Sequence, residues 1–226
     1  MGSQLVVARQ ELCAKIEGIG IIPAVRVSSA AEALFAAETI FESGIHVVEV
    51  TMTTPAAVSV IAQLIREHPG KIIGAGTVLD IDTARACLDA GATFLTNTGL
   101  DPELVEFARK NDIYMIPGAL TPSELMMAKK SGAPFIKIFP CSSLGGPAYI
   151  RALRRPFPDT RLIAAGGVTQ QTAEEYIRAG ASVLGVGHEL LPYEAIRSRN
   201  AKWIRELAER FVGMVRRTRA EISQTY

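Results

Sequence analysis

The chain repeats one pattern eight times: a short run rich in Val and Ile, then a longer stretch with helical periodicity. The strand-like runs are residues 21–27, 46–51, 72–76, 93–96, 113–116, 135–139, 162–164 and 182–186. They are continuously apolar rather than alternating, as strands buried on both faces of a parallel sheet are. Strands alternating with helices predict a parallel sheet with helices outside it, and eight units predict a (β/α)8 TIM barrel. A doubly wound open sheet is the alternative, but no G-x-G-x-x-G follows the first strand.

Punctuation supports these units. Ser28-Ser29, Thr54-Pro55, Asp80, Asp101-Pro102, Thr121-Pro122 and Thr169 each offer a capping oxygen or a first-turn proline. Ser43-Gly44, Ala90-Gly91, Ser131-Gly132 and Ala179-Gly180 stand where a left-handed glycine ends a helix before a strand. Two segments lie outside the units. Residues 4–17 are expected to form an extra N-terminal helix over the barrel's bottom. Residues 200–217 are expected to form a C-terminal amphipathic helix with Trp203, Leu207, Phe211 and Met214 on its buried stripe. No linker is visible, so residues 1–226 are expected to form one barrel domain.

The 24 basic and 23 acidic residues nearly cancel, which implies neither a nucleic-acid partner nor an acidic surface. Cys13, Cys87 and Cys141 are odd in number and far apart. Neither a disulfide framework nor a cysteine metal site is expected, and a reducing cytoplasm is. The start lacks a basic segment followed by an apolar one, so no signal peptide is expected. No uncharged apolar run is long enough to span a membrane.

Barrels of this type carry their reactive groups at the C-terminal ends of the strands. Lys137 sits in the apolar run Phe135-Ile136-Lys137-Ile138-Phe139-Pro140. Desolvation there favours the neutral amine, which can form a Schiff base with a carbonyl substrate. The bland alternative is a lysine with a packed stem and a wet ammonium. Glu49 is flanked by Val47, Val48 and Val50, where burial disfavours the charged form and suits acid/base work. A pairing with Lys137 across the barrel would serve either chemistry or structure.

Gly166-Gly167 and Gly185-Val186-Gly187 follow the last two strands. Barrels often bind phosphate there through bare backbone amides; tight turns without a ligand are the other reading. The fork of Arg26 matches a substrate carboxylate, and Gly76-Thr77 adds a backbone donor and a hydroxyl. His188 lies at the phosphate position, whereas His46 and His68 read as incidental. Cys141 follows the lysine strand with nothing beside it to activate a thiolate.

The stretches I-I-P-A-V-R-V (21–27), G-I-H-V-V-E-V-T (44–51), I-I-G-A-G-T-V (72–78), Y-M-I-P-G (114–118), T-P-S-E-L (121–125), F-I-K-I-F-P (135–140), A-G-G-V (165–168) and G-V-G (185–187) occur in this order. Together they resemble the family of 2-keto-3-deoxy-6-phosphogluconate (KDPG) / 4-hydroxy-2-oxoglutarate (KHG) aldolases. The resemblance implies a class I aldolase that cleaves a 2-keto-4-hydroxy acid into pyruvate and an aldehyde, in a homotrimer. It makes Lys137 the Schiff-base lysine and Glu49 the acid/base. It places Arg26 and Thr77 on the pyruvyl carboxylate, and Gly166, Gly167 and Gly187 on the phosphate. Thr53, Gly76, Thr98, Phe139, Ala165 and His188 fall on further substrate-binding positions. No metal or other cofactor is required, because the imine is itself the electron sink.

Four places depart from the family's pattern. Thr53 stands where many relatives carry arginine, and Asn97-Thr98 replaces a Ser-Pro pair. Ala165 replaces a threonine, and His188 a small serine. A non-phosphorylated or differently shaped 2-keto-4-hydroxy acid is compatible with these changes. Two rivals remain. A phosphosugar isomerase or epimerase would keep the glycine turns but has no use for a desolvated lysine. A barrel that binds a sugar acid without turnover would suit the altered pocket but not the retention of Lys137 with Glu49.

Overall fold

The computed structural model describes the backbone of residues 2–225 and the side chains of residues 10–224. Helix α1 (Gly2–Ile19) leads into β1 (Ile21–Val25), α2 (Ala30–Glu42), β2 (Val47–Thr51), α3 (Ala57–Glu67), β3 (Ile72–Gly76), α4 (Ile81–Asp89) and β4 (Phe94–Thr96). There follow α5 (Pro102–Lys110), β5 (Met115–Ile116), β6 (Gly118–Ala119), α6 (Pro122–Lys130), β7 (Ile136–Ile138), α7 (Pro147–Arg154) and β8 (Leu162–Ala165). The chain ends with α8 (Ala173–Arg178), β9 (Val183–Val186), α9 (Tyr193–Arg197) and α10 (Ala201–Thr225).

The sheet order is β5-β4-β3-β2-β1-β9-β8-β7-β6. Its pairings are parallel throughout. β5 and β6 are two halves of one strand, divided by Pro117. Proline brings no N–H to a ladder, and the strand changes partner at that point. β5 pairs with β4, and β6 pairs with β7. The expected TIM barrel is therefore formed, with its seam in the fifth strand. Asn97 ties that seam, its Oδ1 accepting from the Gly118 N–H. The fifth strand, expected at residues 113–116, thus starts later and extends past the proline.

The caps follow the sequence at Ser29, Asp80, Asp101 and Thr121, whose side chains accept from first-turn amides. Two expected caps are corrected. Thr54 is buried and donates to the Val25 carbonyl, while left-handed Ala56 precedes α3. Thr169 bonds to Thr172, and α8 begins only after that residue.

α10 is longer than expected, and its buried face is displaced by one residue. Ile204, Leu207, Ala208, Phe211, Val215 and Thr218 are buried, a spacing that follows the helical period. Trp203 is 38% exposed and Met214 half-buried, because they lie at the edge of that stripe. α10 packs on α8 and α2. α1 buries Cys13 and Ile16 and contacts β1 and β9, as expected of a helix over the barrel's bottom. The side chains of residues 4–9, part of that expectation, lie outside the described ones. Among the described residues, no helix is long and apolar enough to cross a membrane.

The interior of the barrel determines where reactive groups can sit. β3 offers no side chain at Gly74 or Gly76. The Phe94 ring fills the space beside Gly74, with carbons 2.3 Å from where a Cβ would stand. The Glu49 side chain fills the space over Gly76. Large groups facing small ones across neighbouring strands are how such a core reaches close packing.

Candidate active site

Glu49 is at the centre of β2 and Lys137 at the centre of β7, four strands apart whichever way the ring is counted. Both side chains point inward and meet near the axis. Lys137 Nζ lies 3.3 Å from Glu49 Oε1 and 3.4 Å from Oε2. They are the two buried charged residues among those described, at 8% and 4% exposure. A lone charge at that depth would be strongly disfavoured, so each requires the other. The contacts are longer than the ~2.7–2.9 Å of a tight charge-assisted bond, so the amine is shared between two oxygens rather than locked to one.

A third group completes the cluster. Thr96, at the end of β4, donates from Oγ1 to Glu49 Oε2 at 2.8 Å and accepts from Lys137 Nζ at 3.2 Å. The sequence places Thr96 at a strand end but does not single it out as a site residue. Its signal is positional: the β3–β4 register sets Phe94 beside Gly74, so Thr96 comes beside Gly76 and faces inward. The Phe139 ring centroid lies 5.8 Å from Lys137 Nζ and contributes an aromatic face to the amine.

These groups lie in a cavity of about 400 Å³ at the C-terminal ends of the strands. Its wall includes Arg26, Glu49, Lys137 and Phe139. Ala165, Gly166, Gly167, Gly187 and His188 line it as well. Glu189, Thr169 and Tyr193 also line it, and the sequence reading did not select them. Arg26 is exposed and makes no ion pair among the described residues.

Four expected residues stand outside this wall. Gly76 is covered by the Glu49 carboxylate. Thr53 is exposed, its Oγ1 2.9 Å from that of Thr51. Thr98 is half-buried, and its backbone lies against Gly118. Thr77 has a φ of 58°, and its Oγ1 is buried without a hydrogen-bond partner among the described residues. Left-handed backbone is unusual for a β-branched residue, and such strain concentrates at functional sites.

The glycines at the far end differ in kind. Gly166 and Gly167 have φ of 83° and 86°, and a Cβ on Gly167 would stand 2.0 Å from Ser142 Oγ. Their bareness is required by the fold. A Cβ on Gly187 would meet only the Ala24 carbonyl, at 3.8 Å, so its bareness simply leaves room in the cavity.

Other candidates are quieter. Cys141 donates to the Gly166 carbonyl and to Tyr176, and burial pushes its thiol up, away from an activated thiolate. Glu38, Glu67 and His68 bring ligand atoms within 4.8 Å of one another on α2 and at the end of α3, outside the barrel. A hollow of about 600 Å³ lies beside α1, α4 and α5, at the N-terminal ends of β4 and β5. Among the described residues, no buried charge lines it.

Comparison with known proteins agrees with this geometry. The family model described as KDPG and KHG aldolase matches residues 12–207. The 2-dehydro-3-deoxy-phosphogluconate aldolase of Pseudomonas aeruginosa is 34% identical over 196 residues, covering 84% of this chain and 89% of that protein. The KHG/KDPG aldolase of Escherichia coli K12 is 33% identical over 193 residues, 85% of this chain and 90% of its own. A crystal structure of KDPG aldolase from Legionella pneumophila, with pyruvate captured at low pH as a covalent carbinolamine intermediate, superimposes with a TM-score of 0.81. It is 34% identical and covers 87% of this chain and 95% of that one.

Proposed function

The chain belongs to the KDPG and KHG aldolase family of class I, Schiff-base aldolases, and we propose that Lys137 is its imine-forming lysine and Glu49 its acid/base. The observation that carries this reading is the buried Lys137–Glu49 pair on the floor of an open cavity. A purely structural ion pair gains little from such a place, because desolvation offsets its attraction. Acid/base and covalent catalysis need it.

The chemistry follows. The Lys137 amine adds to the 2-keto carbon of a 2-keto-4-hydroxy acid, and the carbinolamine loses water to become an iminium. Glu49, directly or through water, takes the proton of the 4-hydroxyl. The electrons of the bond between carbons 3 and 4 move into the iminium, and an aldehyde leaves. The enamine on Lys137 regains a proton at carbon 3, and water then releases pyruvate and the free amine.

Arg26, exposed on the cavity wall, is the proposed partner of the pyruvyl carboxylate. Thr77, outside the wall, carries a buried hydroxyl without a partner among the described residues and is proposed as a second contact of that carboxylate. Gly166, Gly167 and Gly187 are proposed to hold the distal end of the substrate. The names of the relatives bring KDPG and KHG to this chain as candidate substrates. One observation favours an unphosphorylated substrate as a second reading: the acidic residue Glu189 is part of the cavity wall beside His188, and like charge opposes phosphate. A single domain over residues 1–226, a homotrimer and a cytoplasmic setting belong to this proposal. The first rests on the lack of a linker in the sequence, the second on the family, and the third on three free thiols, Cys13, Cys87 and Cys141.

The test is borohydride trapping with pyruvate, read by mass spectrometry of the intact protein and its peptides. A reduced pyruvyl adduct on Lys137 is expected, and none in Lys137→Met. Folded protein that gives no adduct in excess pyruvate overturns the reading and returns weight to an isomerase or a non-catalytic barrel.

A further inference from the structure

We propose that Thr96 is a positioning residue for this reaction: its hydroxyl carries a proton between Lys137 and Glu49, and holds Glu49 so that Oε1 is the oxygen presented to substrate. The proposal rests on the Schiff-base reading of Lys137.

Thr96 is 1% exposed, and its strand neighbours Phe94 and Leu95 are apolar and buried. A hydroxyl in such a place has to be satisfied. Both of its bonds go to the pair, one donated to Glu49 Oε2 and one accepted from Lys137 Nζ. Without the pair, a valine of the same shape would fill the site with no polar group to satisfy. The path through the hydroxyl, 3.2 Å and then 2.8 Å, is shorter at each step than the direct approaches of 3.3 and 3.4 Å.

That path has a chemical use. An ammonium paired with a carboxylate does not add to a ketone. When Nζ gives a proton to Thr96 Oγ1 and Oγ1 gives its own to Oε2, the result is a neutral amine beside a neutral acid. One N–H and one O–H bond break, one O–H bond forms on each oxygen, and no proton leaves the site. The neutral acid then supplies the proton with which the carbinolamine hydroxyl departs as water. Afterwards Lys137 is bound up in the imine, and Thr96 still holds Oε2. Oε1, which lies over the bare backbone of Gly76, remains free to accept the proton of the 4-hydroxyl.

The experiment compares wild type, Thr96→Val and Thr96→Ser in rapid-quench borohydride trapping with saturating pyruvate and in steady-state cleavage of KDPG and KHG. In Thr96→Val, which keeps the shape and removes the hydroxyl, imine formation and kcat are expected to fall at least about tenfold while KM moves less than about threefold. Thr96→Ser is expected to return both rates to within about threefold of wild type. Thr96→Val at the wild-type rate overturns the proposal. So does Thr96→Ser as slow as Thr96→Val, since the γ-methyl would then be what matters. If Thr96→Val does not fold, Thr96→Cys, of similar volume and with a weak donor, is judged by the same criterion. A wild-type protein that traps no pyruvate defeats the Schiff-base reading itself, an outcome seen before any variant is compared.

Discussion

Oε1 of Glu49 lies 2.2 Å from the point where a Cβ would stand on Gly76. The β2–β3 register sets Glu49 beside Gly74 and Thr51 beside Gly76. The carboxylate therefore leans two positions toward the strand ends, into space that only a glycine leaves. A methyl group at residue 76 displaces it from Lys137. Gly76→Ala is expected to remain folded, to lose about 1–3 kcal/mol in denaturant unfolding, and to slow turnover about a hundredfold. Unchanged turnover would mean that the carboxylate does not need this seat.

Lys137→Met removes one member of a buried pair and leaves Glu49 with Thr96 as its remaining partner. Besides abolishing the pyruvate adduct, it is expected to destabilise the folded chain by about 3–5 kcal/mol. Adding Glu49→Gln removes the orphaned charge, so the double variant should be more stable than Lys137→Met alone. Denaturant unfolding of the two singles and the double measures the coupling.

Glu49→Gln keeps the shape of the side chain and cannot hold or release the required proton. Single-turnover imine formation with pyruvate is expected to slow about a hundredfold or more. Wild-type kinetics in this variant would remove the acid/base role.

His188 and Glu189 stand together on the cavity wall. His188→Ser is expected to change the ratio of kcat/KM between a phosphorylated and an unphosphorylated 2-keto-4-hydroxy acid by about tenfold. Glu189→Gln is expected to raise the phosphorylated member of that ratio. A ratio unmoved by either change places the distal group elsewhere.

At the start of α6, Glu124 accepts from the backbone amides of Thr121 and Leu120 and from the Thr121 hydroxyl, which hold its carboxyl below the usual range. A depressed folded-state value stabilises the fold above the unfolded carboxyl's pKa of about 4.3, and the contribution is lost as pH falls through the lowered value. Glu124→Ala is expected to cost about 1 kcal/mol near neutral pH, and the gap to wild type should close in acid. Thermal melts of both proteins across that range measure it. A gap independent of pH would assign the cost to helix packing.

The barrel was legible because its strands are continuous apolar runs bracketed by caps and glycines. Glu49 and Lys137 were legible because each interrupts such a run with a charge. Thr96 was not, since a threonine at a strand end is ordinary until the β3–β4 register brings it beside Gly76. The break at Pro117 was hidden because a proline reads as the end of a strand, whereas here the strand resumes with a new partner. Thr53 and Thr98 were chosen by resemblance, and Thr77 by its hydroxyl at a strand end as well. Which way a loop side chain turns depends on backbone angles, such as the positive φ of Thr77, that residue type does not announce. The offset of the α10 stripe arose because Trp203 is large and apolar yet sits at the stripe's edge, while smaller Ile204 and Ala208 take the centre.

The division of the fifth strand has a mechanical meaning for the lysine. β7 is bound along one flank to β8 at three successive positions and along the other to a strand of two residues. The amide of Gly118, opposite Lys137 in that register, is guarded by the Asn97 side chain rather than by another strand. The ladder beside Lys137 is thus longer on one side than on the other, although its own amide is bonded to the Pro117 carbonyl on the shorter side. On the proposed imine reading of Lys137, the reacting amine is carried by a strand held over its longer edge, and amide exchange at Gly118 is expected to report any shift of the shorter edge when pyruvate binds.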